Sequence, residues 1–416
     1  MTTKALVRGL GLLGLIASVF NCTVGGGIFR LPASVYQIVG AASPIVYLVC
    51  FVVVLLVANV FVQVGSHVSK TGGPYAYVEP VLGKYFGFIC GVLLWCLATF
   101  AMASVANAYA HFTAQLFSTS VNLIFEAIIL AITLGSLAFF NIKSLKAGSG
   151  ISIFLGAAKI LPLLILVAAG ITRLEPAHLE LPQVIDWNGI ARGSMILIFA
   201  FTGLECALIP SGEIKHPEKN IPRALYSALV LVFLLYLGVQ FVSQSVLGAA
   251  LSEPGVSPLA LSAERLMGGG GKWLLMIGAS VSTLGYLSAI TLSLPRSLYA
   301  FAIDGYLPQF LAKVDHRHHT PSNAIWVQVL IACLLAISSQ FERLAVLADL
   351  SAILMYALCA VAAIRMKKWS AVTTLIALAF LLTSVTRVEW LSVGSLILIS
   401  SGLYYWKNSR LILHRT

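Results

Sequence analysis

Asn21-Cys22-Thr23-Val24-Gly25-Gly26-Gly27-Ile28-Phe29-Arg30-Leu31-Pro32 interrupts an apolar run that extends over residues 10–39. A run of that length suffices to cross a bilayer, which takes about 20 residues of helix. Three consecutive glycines strip side chains from the backbone and let it leave helical geometry. At membrane depth, unwound backbone persists only where it is buried in protein or lines a wet cavity. Residues 10–39 therefore read as a broken helix whose bare amides and carbonyls face a small polar or zwitterionic ligand, the pattern of a transporter site at the bilayer midplane.

Working outward, composition excludes a soluble fold. Of the 416 residues, 59% are hydrophobic and 10% charged, and the mean hydropathy is +0.95; the class is an all-α polytopic membrane protein. The net charge of +11 is not a nucleic-acid footprint, because the basic residues sit in short loops between apolar runs, where they set topology. Lys4 and Arg8 lead straight into a spanning segment, so no cleavable signal peptide is expected. The seven cysteines fall in apolar runs and read as small free hydrophobes, neither disulfides nor metal ligands. Asn21-Cys22-Thr23 matches a glycosylation pattern but lies at membrane depth.

Twelve transmembrane helices are expected, near 10–39 (broken), 44–65, 84–115, 121–140, 149–171, 190–212 (broken), 223–245, 272–302, 321–339, 342–364, 370–386 and 389–406. With the N-terminus in the cytoplasm, 17 of the 26 Lys and Arg residues fall inside and six outside, which places both termini in the cytoplasm. Loops 172–189 and 246–271 are too short to hold a soluble domain. The chain reads as a single transporter domain.

Helix 6 carries a second interruption, at Phe201-Thr202-Gly203-Leu204-Glu205. Helices 1 and 6 are five apart, so a second set of five would enter from the opposite face. Two breaks at matching positions predict a 5+5 inverted repeat, 1–171 and 190–364, with peripheral helices 11 and 12 over 370–406.

Several residues are candidates for transport. The second half of helix 1 begins near Ile28, with the Gly26 and Gly27 amides turned back toward the cavity, and a helix N-terminus suits a substrate carboxylate. Carbonyls near Thr23 suit an ammonium. The plainer alternative is small-residue packing between helices. Phe199 is either an aromatic cap over the substrate or a packing residue. Lys159, in the middle of helix 5, is costly there unless it faces a cavity or a partner; it either exchanges a proton or ties helix 5 to the broken helix 1 as a constant cation. Glu205 either holds the unwound turn of helix 6 or relays protons. Asp349 and Glu126 are weaker candidates. Arg30 either draws anionic groups into an outer vestibule or pairs with an acid. The Asp315-His316-Arg317-His318-His319 cluster reads as solvated charge in a cytoplasmic loop rather than a metal site. No nucleophile–base pairing marks a membrane enzyme, no repeated filter or charged ring marks a channel, and no catalytic residue or cofactor is expected.

VGGGIFRLP at 24–32 resembles the G-S-G-I-F motif of helix 1 in the amino acid–polyamine–organocation (APC) superfamily. KTGGPYAY at 70–77 resembles that family's S-G-G-x-Y-x-Y loop, and FAFTGLE at 199–205 its F-x-F-x-G-x-E motif. GEIKHPEKNIPRAL at 212–225 is similar to its E-x-K-N-P-x-x-N-I-P-R-A segment, and PRSLYAFAIDGYLP at 295–308 to its R-x-x-x-A-x-A-x-D-G-x-L-P ending of helix 8. The resemblance covers about ten helices in order. It implies the LeuT-type fold and alternating-access transport of a small amino acid across the plasma membrane. It further implies that the carboxylate meets Gly25, Gly26 and Gly27, and the ammonium meets backbone near Cys22 and from Phe199 through Ala200 and Phe201 to Thr202. Phe199 matches the family's aromatic gate. Lys159 matches a lysine that fills the place of sodium in sodium-coupled relatives, which implies sodium-independent operation by proton coupling or exchange. Two departures stand out. Gly26 replaces the usual serine and loses a hydroxyl, and Phe199 in place of tryptophan speaks against the agmatine exchangers. The expected substrate is a neutral or small amino acid, with a cationic amino acid or polyamine as the alternative.

Overall fold

Helix lengths in this chain are set by the bilayer and by where glycine and proline interrupt the apolar runs. A computed structural model describes residues 11–65, 74–117, 122–143, 159–207, 214–253, 257–315 and 320–413. Every element among them is helical. The segment 10–39 is broken as its glycines predict: α1 (Leu12–Thr23) ends, a single 3-10 turn follows at Gly27–Phe29, and α2 (Leu31–Val39) begins with Pro32 in its first turn. There proline replaces an amide that has no helical partner.

The chain continues through α3 (Ser43–Gly65), the short α4 (Tyr75–Leu82), α5 (Lys84–Phe117), α6 (Leu123–Lys143) and α7 (Ile160–Gly170). The expected start of helix 5, at 149–158, lies outside the described residues. Helix 6 begins as α8 (Trp187–Leu197), tightens into a 3-10 turn at Ile198–Phe201, and resumes as another at Leu204–Ala207. Next come α9 (Pro217–Leu247), α10 (Pro258–Met267), α11 (Gly269–Ser293), α12 (Pro295–Ile303), α13 (Ser322–Ser338), α14 (Phe341–Arg365), α15 (Ala371–Leu382) and α16 (Arg387–Leu413). Two of these, α4 and α10, are short helices where the sequence alone suggested loop.

Among the described residues, seven helical stretches are long and apolar enough to cross a membrane, and three shorter apolar helices accompany them. The chain is a multi-pass membrane protein. With 34 residues, α5 is roughly 50 Å long at 1.5 Å per residue, well beyond the ~30 Å hydrocarbon core. It runs through the centre: 72% of its most apolar window is buried, against 17% for α6 and 11% for α16. Around it pack α14, α11 and α13, while α1 packs on α9 and α2 on α8. The outlying α16 is nonetheless tied to α8 by a two-pronged Arg192–Glu389 ion pair, with nitrogen–oxygen distances of 2.8 and 3.1 Å.

Candidate functional site

Each break is made by local chemistry. The Thr23 hydroxyl donates back to the Val19 carbonyl at 2.9 Å, inside the last turn of α1. Val24 then turns extended, at φ −74° and ψ 92°. In helix 6, Thr202 is extended at ψ 151° and its hydroxyl donates to the Phe199 carbonyl at 2.8 Å. Gly203 follows with φ +110°, a conformation that side chains rarely adopt. Space also demands glycine there: a Cβ on Gly203 would lie 2.7 Å from the Cys22 carbonyl oxygen. The two breaks therefore touch, the unwound turn of one resting on the exposed end of the other.

Two buried side chains hold this crossing together. The Tyr236 hydroxyl, from α9, donates to the Thr23 carbonyl at 3.2 Å or the Ala200 carbonyl at 3.1 Å. Both carboxylate oxygens of Glu205 accept from the Gly203 amide at 3.1 Å, and one also accepts from the Tyr356 hydroxyl at 3.1 Å. Of the two roles open to Glu205 in the sequence, this geometry is that of holding the turn.

Between the breaks lies a small cavity lined by Cys22, Thr23, Gly25, Gly26, Gly27, Ala101, Val105, Phe199, Ala200, Thr202 and Tyr286. The structure brings together most of the residues singled out in the sequence. It leaves out Ile28 and Phe201, which are fully buried behind the wall. Ala101, Val105 and Tyr286 were not anticipated; they come from α5 and α11, whose apolar sequence carries no mark of a site.

The three glycines differ in role. A side chain on Gly25 would meet open space, whereas a Cβ on Gly26 would sit 2.3 Å from the Thr283 methyl and one on Gly27 3.0 Å from the Phe199 ring. Among the described residues, the amides of Gly26, Gly27 and Ile28 have no acceptor; free amides ahead of a half-helix are the kind of group that suits an anion. No acidic or basic side chain lines the cavity among the described residues. Lys159 is buried at the start of α7, within electrostatic reach of Cys22.

At the α2 end, the Phe199 ring meets Phe341 edge to face at 5.6 Å. Arg30 lies over Phe341, 5.4 Å from the ring centre, and pairs with Glu342 at 3.0 Å. Arg30 thus has the acidic partner that its sequence position left open. Glu126 pairs with His111 at 3.0 Å, away from the cavity. Among the described residues no group of His, Cys, Asp and Glu could hold a metal ion; His316 to His319 lie outside them.

Comparison with known proteins meets this geometry at the family level. The sequence profile of the amino acid permease family matches residues 10–406. The chain belongs to that family. It is an APC-superfamily transporter, not an enzyme. It is 27% identical to the serine/threonine exchanger SteT of Bacillus subtilis over 82% of this chain and 79% of that one. It is 25% identical to the branched-chain amino acid permease BcaP of the same organism, over 88% and 82%. With the mouse Asc-type amino acid transporter 1 it shares 25% identity over 78% of this chain and 63% of that one.

Proposed function

We propose that the protein is a sodium-independent secondary transporter of small neutral amino acids in the plasma membrane, working by alternating access with proton coupling or exchange. One observation carries the choice of substrate: the cavity joins an unpartnered amide cluster to a wall of small and neutral side chains. A zwitterion matches that arrangement, its carboxylate at Gly26 and Gly27 and its ammonium at the carbonyls of α1 and of the helix 6 turn. A cationic amino acid or polyamine would bring a further charge into a wall without an acid, at a desolvation cost. The serine/threonine exchange and branched-chain transport named for two relatives agree with a neutral side chain. In this reading Lys159, within electrostatic reach of Cys22, supplies the fixed or exchangeable positive charge that does the work of a sodium ion.

Twelve spans in a 5+5 inverted repeat, with both termini cytoplasmic, complete the proposal. Arg30, Glu342, Phe341 and Phe199 then stack between the cavity and the outer face, and their separation would open it.

Uptake of labelled serine, alanine and leucine into proteoliposomes tests the assignment, with arginine and putrescine as competitors and choline replacing sodium. Competition by neutral amino acids and unchanged uptake in choline are expected. Strong competition by arginine or putrescine would reassign the substrate, and a sodium requirement would remove the role given to Lys159.

A further inference from the structure

A carboxyl group without a hydrogen bond lies behind the helix 6 break. Asp349 sits two turns into α14, fully buried, and neither of its oxygens has a hydrogen-bond partner. Across the helix boundary it faces the backbone amide of Phe199, the residue whose ring walls the substrate cavity. Its other ionisable neighbours are Glu205 from the helix 6 turn, Cys50 from α3 and Tyr356, two turns along its own helix. From α5, Cys90 meets Cys359, ten residues further along α14. Among the described residues no lysine or arginine pairs with Asp349 or Glu205: Arg30 is taken by Glu342 and Arg192 by Glu389.

The hydrogen bonds are shared unequally between the two acids. Glu205 accepts from the Gly203 amide and the Tyr356 hydroxyl, whereas Asp349 accepts from neither. Two carboxylates in one dry compartment cannot both stay charged cheaply, because each is desolvated and each repels the other. The donors stabilise a charge on Glu205, while Asp349 has only the Phe199 amide facing it, outside hydrogen-bond geometry. An ionisable residue so deep in a membrane protein, with no structural bond to justify it, marks a functional site.

We propose that Asp349 is the proton-binding site of the transport cycle: it carries one proton in the conformation seen here and releases it as helix 6 rearranges. The proposal rests on the amino acid transport assigned above and names the coupling ion. The link to substrate is Phe199, which lines the cavity and whose backbone amide faces Asp349. With the proton gone, the carboxylate would take the Phe199 amide as its donor and pull on the segment that carries the aromatic wall. The proton returns to water on the face then open, and Lys159 keeps the role of a constant cation.

The test uses the full-length protein in proteoliposomes containing a pH-sensitive dye. Wild type should acidify the lumen as substrate enters and accumulate substrate when the outside is made acid. Asp349→Asn, which imitates the protonated acid in shape and charge, should still exchange internal for external amino acid but lose both proton effects. Proton-driven accumulation by Asp349→Asn at the wild-type level would overturn the proposal, as would wild-type transport without proton movement. Sodium-driven uptake that Asp349→Asn abolished would also overturn it, by giving the site to sodium. Infrared difference spectra of wild type with and without substrate need no variant: the carbonyl band of a protonated carboxyl should change on substrate addition, and its absence would refute the assignment. If wild type exchanges no amino acid while that band responds to another solute, the substrate assignment fails and the proton site stands.

Discussion

At the scale of single residues, the glycines of the first break separate into one that makes room and two that make contact. Gly25 faces open space, so Gly25→Val should keep the fold and raise KM by occupying the cavity, read from uptake curves beside a melting profile. Gly26→Ala should instead destabilise, because its methyl collides with the Thr283 side chain at 2.3 Å and overpacking of this kind costs about 1–3 kcal/mol. Adding Thr283→Ser, which removes the colliding methyl, should restore much of the melting temperature; no rescue would place the strain elsewhere. Tyr236 invites the second test. Tyr236→Phe removes a hydroxyl engaged with both breaks and leaves buried polar groups unsatisfied, worth about 1–3 kcal/mol, so transport should fall and thermal stability with it. The sequence announces the glycines and hides the tyrosine. Three glycines in an apolar run are chemically conspicuous, whereas one tyrosine in α9 looks like any packing residue until its hydroxyl partners are known. Ala101 and Val105 are hidden for the same reason: small apolar residues on a central helix are what packing alone would select.

At the scale of elements, the two interrupted helices act as a pair, and Gly203 is where they press together. Gly203→Ala would force a side chain into φ +110° and against the Cys22 carbonyl at 2.7 Å. Such backbone strain costs on the order of 1–3 kcal/mol, and relief requires the breaks to separate. Loss of substrate-induced thermal stabilisation is expected even where the protein is still produced and folded; a normal ligand shift would show that the contact is dispensable. The interruptions themselves were legible because glycine and threonine are poor helix formers with specific uses at helix ends. The touching of the breaks was not legible, since it depends on how α1 and α8 cross. The short helices α4 and α10 escaped notice because neither is apolar enough to span, and a loop with mixed composition gives no periodic signal at eight to ten residues.

At the scale of the whole molecule, helicity and membrane residence follow from hydropathy alone, because lipid permits little besides helices and closed barrels. Helix counting by length is less direct. The broken helices fall short of a bilayer as continuous elements, so the twelve-span expectation depends on joining segments across their interruptions. Charge distribution supplies the missing constraint: the basic residues alternate sides only if every broken segment crosses once. Two exposed loop positions make that checkable. Glu180 lies in the segment assigned to the outer face and Gln309 in one assigned to the cytoplasm, and both are exposed. Single-cysteine substitutions at these positions, in a background freed of the native cysteines, should react differently with an impermeant maleimide added to intact cells. Glu180→Cys should label at once, and Gln309→Cys only after the membrane is permeabilised. The reverse pattern would invert the molecule and move the Arg30–Glu342 pair to the cytoplasmic gate. Labelling of both from outside would require one of the joined segments to turn back without crossing, and the two breaks could then no longer belong to opposed repeats.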